Sequence, residues 1–296
     1  MNKMFEIKTL TVRSIKIFVR DKTAVFFSFL SVIILLGLYL LFIKNAYKVD
    51  FLSDFMTPGQ QEFMVNGMMM SGVLVINTMT LSLGNLGNIV TDFENKIIDA
   101  FVVTPVKRSK LIIAYFLSSF IITLIFTLLM WLLAVVIIGI TTGIFYDITV
   151  VIQATGLLTL YTFISTAFMI LLTTFIKSVN AFGAVAGVFG TIIGFTSGIY
   201  MPLSQFPEMI QKVPSFIPFT HMAIYLKQLL LKSSFDIMES KVPAEAIDSI
   251  RKAYTINDIP ILGHNINSFW ILLVCVVLAI LALLWATNRL SKRIKK

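Results

Sequence analysis

Residues 111–140 read LIIAYFLSSF IITLIFTLLM WLLAVVIIGI, a run without one charged side chain. A helix needs about 20 apolar residues to cross the hydrocarbon of a bilayer, and this run exceeds that. It is continuously apolar rather than alternating, which argues for a helix and against a strand of a closed barrel. Working outward from Leu111–Ile140, five more stretches reach the same length: Thr23–Ile43, Phe63–Val90, Val150–Ile176, Ala181–Met201 and Phe269–Thr287. The second and third of the six are long, so tilt or extension beyond the bilayer is expected. The composition agrees: 57% of the 296 residues are hydrophobic, 13% are charged and the mean hydropathy is +0.91. Soluble domains are about 45–50% apolar and about a quarter charged. The fold class is therefore an all-α membrane protein with six transmembrane helices.

The net charge of +9 raises nucleic acid as a partner. The basic residues, however, sit at the ends of apolar runs instead of forming a patch, so they read as topology and no nucleic-acid partner is expected. With the N-terminus inside, the short inner connections and tails hold 16 of the 24 Lys and Arg residues, against Lys44 and Lys48 in the short outer ones. Both termini then face the cytoplasm, because short basic segments stay inside. Cys275 is the single cysteine; it lies in an apolar run and reads as packing, and an intrachain disulfide is excluded.

Four segments follow. Residues 1–22 place Phe5, Ile15, Ile17 and Phe18 among Lys8, Arg13, Lys16 and Arg20, as in a basic amphipathic helix at the inner membrane surface. This lead is too long for a cleaved signal, so the first span reads as an uncleaved anchor. Residues 23–201 hold spans one to five. Residues 202–268 form an external re-entrant hairpin and a small cap: Pro202, Pro207, Pro214 and Pro218 break its first half, and Leu203–Val213 and Phe219–Leu231 are too short to span. In its second half Pro243 opens a short helix with Ile247, Ile250 and Tyr254 on one face and an Asp248–Lys252 pair. Residues 269–296 are the sixth span and a basic tail.

The functional reading starts from what is missing. No Gly-x-x-x-x-Gly-Lys-Ser/Thr loop occurs, so the sequence has no ATPase site of that class. No ionisable side chain lies mid-span, where ion-coupled carriers keep costly charges for function. His221 and His264 have no second ligand nearby in sequence, so no metal site and no catalytic residue are expected.

Three patterns remain. Gly183, Gly187, Gly190, Gly194 and Gly198 share one face of the fifth span. They read either as intrachain packing or as the seam between two subunits. The second span carries Asn66, Asn77, Thr80, Gly84 and Asn88 on one face, with Ser71, Thr78, Ser82 and Asn85 a quarter-turn round. Those stripes either knit helices together or line a substrate pathway, for which Asn77, Thr80, Gly84 and Asn88 are the candidates. The inner loop 91–110 sets Ile97, Ile98, Phe101 and Val102 at helical spacing, an apolar stripe suited to a partner, before the pre-proline Thr104 turns the chain at Pro105.

These segments resemble the membrane subunits of bacterial ABC exporters of the type-2 permease family. The inner loop resembles the family's Glu-rich segment running into Leu-Leu-Val-Thr-Pro-Val, here Phe101-Val102-Val103-Thr104-Pro105-Val106. Ser197-Gly198-Ile199-Tyr200-Met201-Pro202, with Phe206-Pro207 and Pro218-Phe219-Thr220, is similar to its external hairpin, and Arg20-Asp21 fits its approach to the first span. The departures are Lys96-Ile97 where the family often has Gly-Thr, Lys22 for a proline and His221 for a tyrosine. The resemblance implies pairing with a second, identical or different, six-helix subunit. Each subunit would dock a separate cytosolic P-loop ATPase, which carries ATP and Mg. It also implies docking through Glu94, Ile97, Ile98, Phe101, Val102, Thr104 and Pro105, and export of a hydrophobic or amphiphilic drug, antimicrobial or lipid-like molecule along the dimer seam. A lipid-linked polysaccharide exporter and an ATPase-independent channel or scramblase are the competing expectations.

Overall fold

The computed structural model describes residues 3–23, 56–103, 106–196, 212–239, 243–257 and 266–293, with a few isolated positions besides. The expected first span and the first part of the hairpin, 202–211, lie largely outside the described residues. The elements are α1 (Lys3–Arg20), α2 (Pro58–Glu94), α3 (Asp99–Val102), α4 (Arg108–Thr142), α5 (Ile148–Thr173), α6 (Val179–Thr196), a 3-10 turn at Pro214–Phe216, α7 (Pro218–Glu239), α8 (Ala244–Ala253) and α9 (Ser268–Arg293). Among the described residues five helices, α2, α4, α5, α6 and α9, are long and apolar enough to cross a membrane. They correspond to expected spans two to six.

Helices α2 and α4 have 37 and 35 residues, about 50–55 Å at 1.5 Å per residue, so both outrun the hydrocarbon. Their ends are chemically fixed. Thr57 and Gln60 form a capping box at the start of α2, with Pro58 in its first turn. Gly143 closes α4 in the left-handed conformation, its N–H bonded to the Gly139 carbonyl at 3.0 Å. Where these two ends meet, a Cβ on Gly59 would stand 2.7 Å from the Thr142 carbonyl oxygen, so only glycine permits the approach.

Helix α2 is the centre of the bundle and packs against α4, α5, α6 and α7. In its most apolar window 72% of residues are buried, against 11% for α6, so α6 lies at the edge. The polar side chains of α2 explain how so hydrophilic a helix sits there. Thr78 bonds Ser165 of α5 and Ser82 bonds Thr166, both at 2.8 Å; Ser82 and Asn85 also reach Thr123 of α4 at 3.3 Å, and Ser119 donates to the Ser82 carbonyl. Each such bond adds about 0.6 kcal/mol in a membrane helix bundle. The outer surface is apolar. Ile121, Ile125, Leu129, Leu132, Val136 and Ile140 form an exposed stripe on α4, about 28 Å long by helical rise and matched to the hydrocarbon thickness.

At one end of the bundle, called here the basic end, lie α1, the α2–α4 loop, the α5–α6 turn and the end of α9. Helix α1 does not lie free on a surface. It runs along the first turns of α4, with Glu6 paired to Lys110 at 2.5 Å and Phe18 edge-on to Phe126 at 5.9 Å. Its buried side is Leu10, Thr11, Ser14 and Phe18, while Phe5 and Ile17 are exposed. Small hydroxyl residues let the helices approach closely, which apolarity alone does not reveal.

At the opposite end α8 buries Ile247 and Ile250 against Leu231, Phe235 and Met238 of α7 and Met64 and Met68 of α2; Lys252 pairs with Asp248 at 2.7 Å. The cap helix read from Pro243 is therefore present. Helix α7 continues to Glu239, beyond the Leu231 limit expected from sequence, because Phe235 and Met238 prolong its buried stripe and no breaker intervenes. Lys227 of α7 is 6% exposed and donates to the carbonyls of Tyr254 (2.9 Å) and Thr255 (3.4 Å) at the end of α8; Gln228 donates to Ile256. Burial pulls the Lys227 ammonium down to about 8. In the unfolded chain it titrates near 10.4, so the unfolded state binds more protons between these values and the cap gains stability as pH rises through that window. Protection factors of the α7–α8 cap, that is, exchange corrected for its intrinsic rise with pH, are expected to increase from pH 8 to about pH 10, by a stabilisation on the order of 2 kcal/mol; Lys227→Met removes that slope.

Candidate functional site

Helix α2 ends in a turn at Asn95–Lys96, and Lys96 takes φ 56°. Short α3 follows. Of the stripe expected to meet a partner, Ile98 is 3% exposed and joins the main core, and Phe101 is half-buried against it. Ile97 points outward at 38% exposure, and Val103, at 86%, is the most exposed apolar side chain among the described residues of the loop. Thr104, Pro105 and the side chain of Val102 lie outside the described residues.

The loop is locked by charge. The Arg13 guanidinium sits 5.0 Å over the Phe101 ring and donates to Asp92 at 3.3 and 3.4 Å. The buried Asp92 carboxylate also accepts the Tyr115 hydroxyl. A buried carboxylate is tolerable only with such donors. Arg13, Asp92, Phe101 and Tyr115 thus join α1, α2, α3 and α4 at one point. The sequence reading gave Asp92 and Tyr115 no role. Carrying the helical period of Leu86 and Ile89 one turn further would have put Asp92 on the buried face. Glu94, two residues on, is exposed, and its Oε2 accepts the Val179 N–H of α6 at 2.8 Å.

The second site is a groove between α2, α5 and α6. Thr80 and Gly84 of α2 and Gly190 of α6 line a cavity of about 130 Å³ with Met79, Met169 and Phe189. Thr80 and Gly84 are exposed, and Thr80 Cγ2 is 3.9 Å from where a Cβ on Gly190 would stand. The polar stripe and the glycine face therefore meet here. Asn77 is buried, its amide donating to Thr127 at 3.3 Å, and Asn88 is half-buried nearer the basic end. Gly183 and Gly187 face outward with no atom within 4 Å of an added Cβ, and Gly194 is buried. Gly198 lies outside the described residues.

His221 is buried with Nε2 2.8 Å from the Ser215 carbonyl, His264 is exposed, and Cys275 packs in the main core. Among the described residues no group of three His, Cys, Asp or Glu side chains could hold a metal.

Lys96 occupies the place where the sequence departs from the glycine its resemblance suggests, and its positive φ is the reason a glycine suits it. A non-glycine residue pays roughly 1–2 kcal/mol there. Lys96→Gly is expected to stabilise the chain by about 1 kcal/mol, read as a higher Tm in detergent.

No curated protein matches the chain closely. Residues 52–286 match the family model described as ABC-2 family transporter protein. That span covers the buried α2, the charge-locked loop, the α2–α6 groove, the cap and most of α9, and so the chain belongs to the ABC-2 transporter family.

Proposed function

We propose that the chain is the transmembrane permease subunit of an ATP-driven exporter, moving a hydrophobic or amphiphilic molecule out of the cell. The basic end faces the cytoplasm, as the distribution of Lys and Arg requires. Cytosolic P-loop ATPase subunits dock there, and they hold ATP and Mg. Ile97 and Val103 are the apolar contacts that the loop offers them, while Ile98 and Phe101 hold the loop to the bundle. A second permease subunit faces α6, and the substrate passes along that seam. The observation carrying this reading is the groove. Thr80, Gly84 and Gly190 share one cavity of about 130 Å³, beside a helix that its own chain leaves largely uncovered. Its lining is almost entirely apolar with one hydroxyl, which suits an apolar molecule with a single polar group and does not suit a glycan. Power comes from a partner because the permease itself contributes only differential affinity for substrate between its two states.

Affinity-tagged chain purified from its own cells is expected to bring down a cytosolic P-loop ATPase. Ile97→Asp combined with Val103→Asp loses that ATPase while inserting normally, since both side chains are exposed; unchanged recovery would count against docking at this loop. In reconstituted vesicles the pair of subunits moves a hydrophobic dye only with ATP, and flux by the purified chain alone would replace the exporter with a channel or scramblase. Gly84→Leu fills the cavity and is expected to slow transport by about tenfold or more, with ATPase recovery unchanged.

A further inference from the structure

The inner turn between α5 and α6 is held from two sides by side chains that suit the helix ends they touch. On the α5 side, Arg293 of α9 donates to the Ile176 carbonyl at 3.0 Å, and Arg289 lies 4.0 Å from the Phe175 ring. A cation at a helix C-terminus is favourable. On the α6 side, the Glu94 carboxylate accepts the first N–H of the helix, Val179, at 2.8 Å, and an anion at a helix N-terminus is favourable. The two sides are joined, because the Arg293 guanidinium is 4.5 Å from the ring of Phe93, the residue before Glu94. About two turns back along α2, Gly87 leaves room for Phe182 of α6: a Cβ there would stand 2.9 Å from the Phe182 ring.

Helix α6 thus rests on α2 at Phe182–Gly87 and is tied to it at Val179–Glu94. The tie sits immediately before the Asn95–Lys96 turn that carries α3. Beyond Phe182, α6 has Gly183 and Gly187 open on its outer face and Gly190 at the cavity.

We propose that Glu94 is a tether rather than a contact for the ATPase: it passes displacement of the α3 loop to the N-terminus of α6, the helix at the substrate groove. The inference rests on the permease reading for its transport consequence and on this chain alone for the mechanical link. Glu94 is a positioning residue, acting through α6. Its carboxylate does two things at once, since it satisfies a backbone donor that the helix cannot satisfy itself and it makes that donor move with α2. Ser178 does only the first of these. Its Oγ accepts the Ala181 N–H at 3.2 Å from within the same turn, so it orders the helix end without tying it to α2.

The test uses full-length chain in nanodiscs for hydrogen exchange and the ATPase-bearing assembly for transport. Glu94→Ala is expected to raise exchange over residues 179–182 by about fivefold, the loss of one capping bond. It should also uncouple transport from ATP hydrolysis while the ATPase is still recovered. Glu94→Gln, which keeps an acceptor oxygen, restores most of both. Ser178→Ala raises exchange similarly but leaves transport intact. Wild-type exchange in Glu94→Ala overturns the tether whatever any ATPase does. So does loss of the ATPase in Glu94→Ala, which would make Glu94 a docking contact, or an equal transport loss in Ser178→Ala, which would make helix order the cause. Absence of ATP-driven transport by the wild-type assembly would instead overturn the permease reading, and the exchange result would still judge the link.

Discussion

In hydrocarbon a polar group has to find its partner inside the protein, because water cannot supply one. Helix α2 carries more of this demand than any other spanning element, and its answer organises the bundle. Thr78 with Ser165, Ser82 with Thr166 and Thr123, and Asn77 with Thr127 set both the rotation of α2 and its height against α4 and α5. Each bond alone is modest. Their joint effect is geometric, since a rotation of α2 by one residue would break them together and leave Asn77 buried without its partner. Once that face is spent on α4 and α5, the remaining face of α2 can only look toward α6 and α7. Thr80 and Gly84 are what it shows there.

A different constraint governs the basic end. Charges that fix topology also have to be stored beside an apolar bundle. The structure stores them by pairing Arg13 with Asp92, Lys110 with Glu6 and Arg293 with a backbone carbonyl. Because Asp92 is buried, removing Arg13 would leave a carboxylate short of a donor, a far larger cost than the loss of an exposed pair. The α3 loop is held by the same arginine through Phe101. The loop is thus firmly attached on one side and presents Ile97 and Val103 on the other, the arrangement a lever needs.

The sequence made the helices legible because length and apolarity alone decide what can span a bilayer. The spanning helices begin and end within a few residues of the runs read from composition, apart from the polar extensions of α2 and of α9, which runs on to Arg293; the expected end of the fifth span at Met201 lies outside the described residues. The cap helix α8 was legible too, since Pro243 and the Ile247–Ile250 spacing act locally. What stayed hidden was partnership. The two stripes of α2 are separated by angle on a wheel, but the wheel does not say that Ser165 and Thr166 of α5 stand opposite one of them. Arg13 and Asp92 are 79 residues apart, and nothing local in either segment announces the other. Glu94 shows the same limit: the motif around it resembles a family segment, whereas its hydrogen bond to Val179 is a fact of tertiary structure. Positive φ at Lys96 was half-legible, as a departure from glycine whose cost only the backbone reveals.

Helix α6 shows how these constraints leave one element lightly held. Its 18 described residues rise about 27 Å. It has no ion pair to the bundle among the described residues. Gly183 and Gly187 leave open space at the position of a Cβ, while Val188, Ile192 and Phe195 stand exposed on the same helix. The small residues let another helix approach at close range. The polar ties of α6 are confined to the ends that the described residues include, Val179 with Glu94 and the Thr196 carbonyl with Thr220 of α7. Between them it rests on side chains alone. Of the two ties, the one at Val179 lies beside the α3 loop, so the geometry that the tether needs is present at that end of the helix.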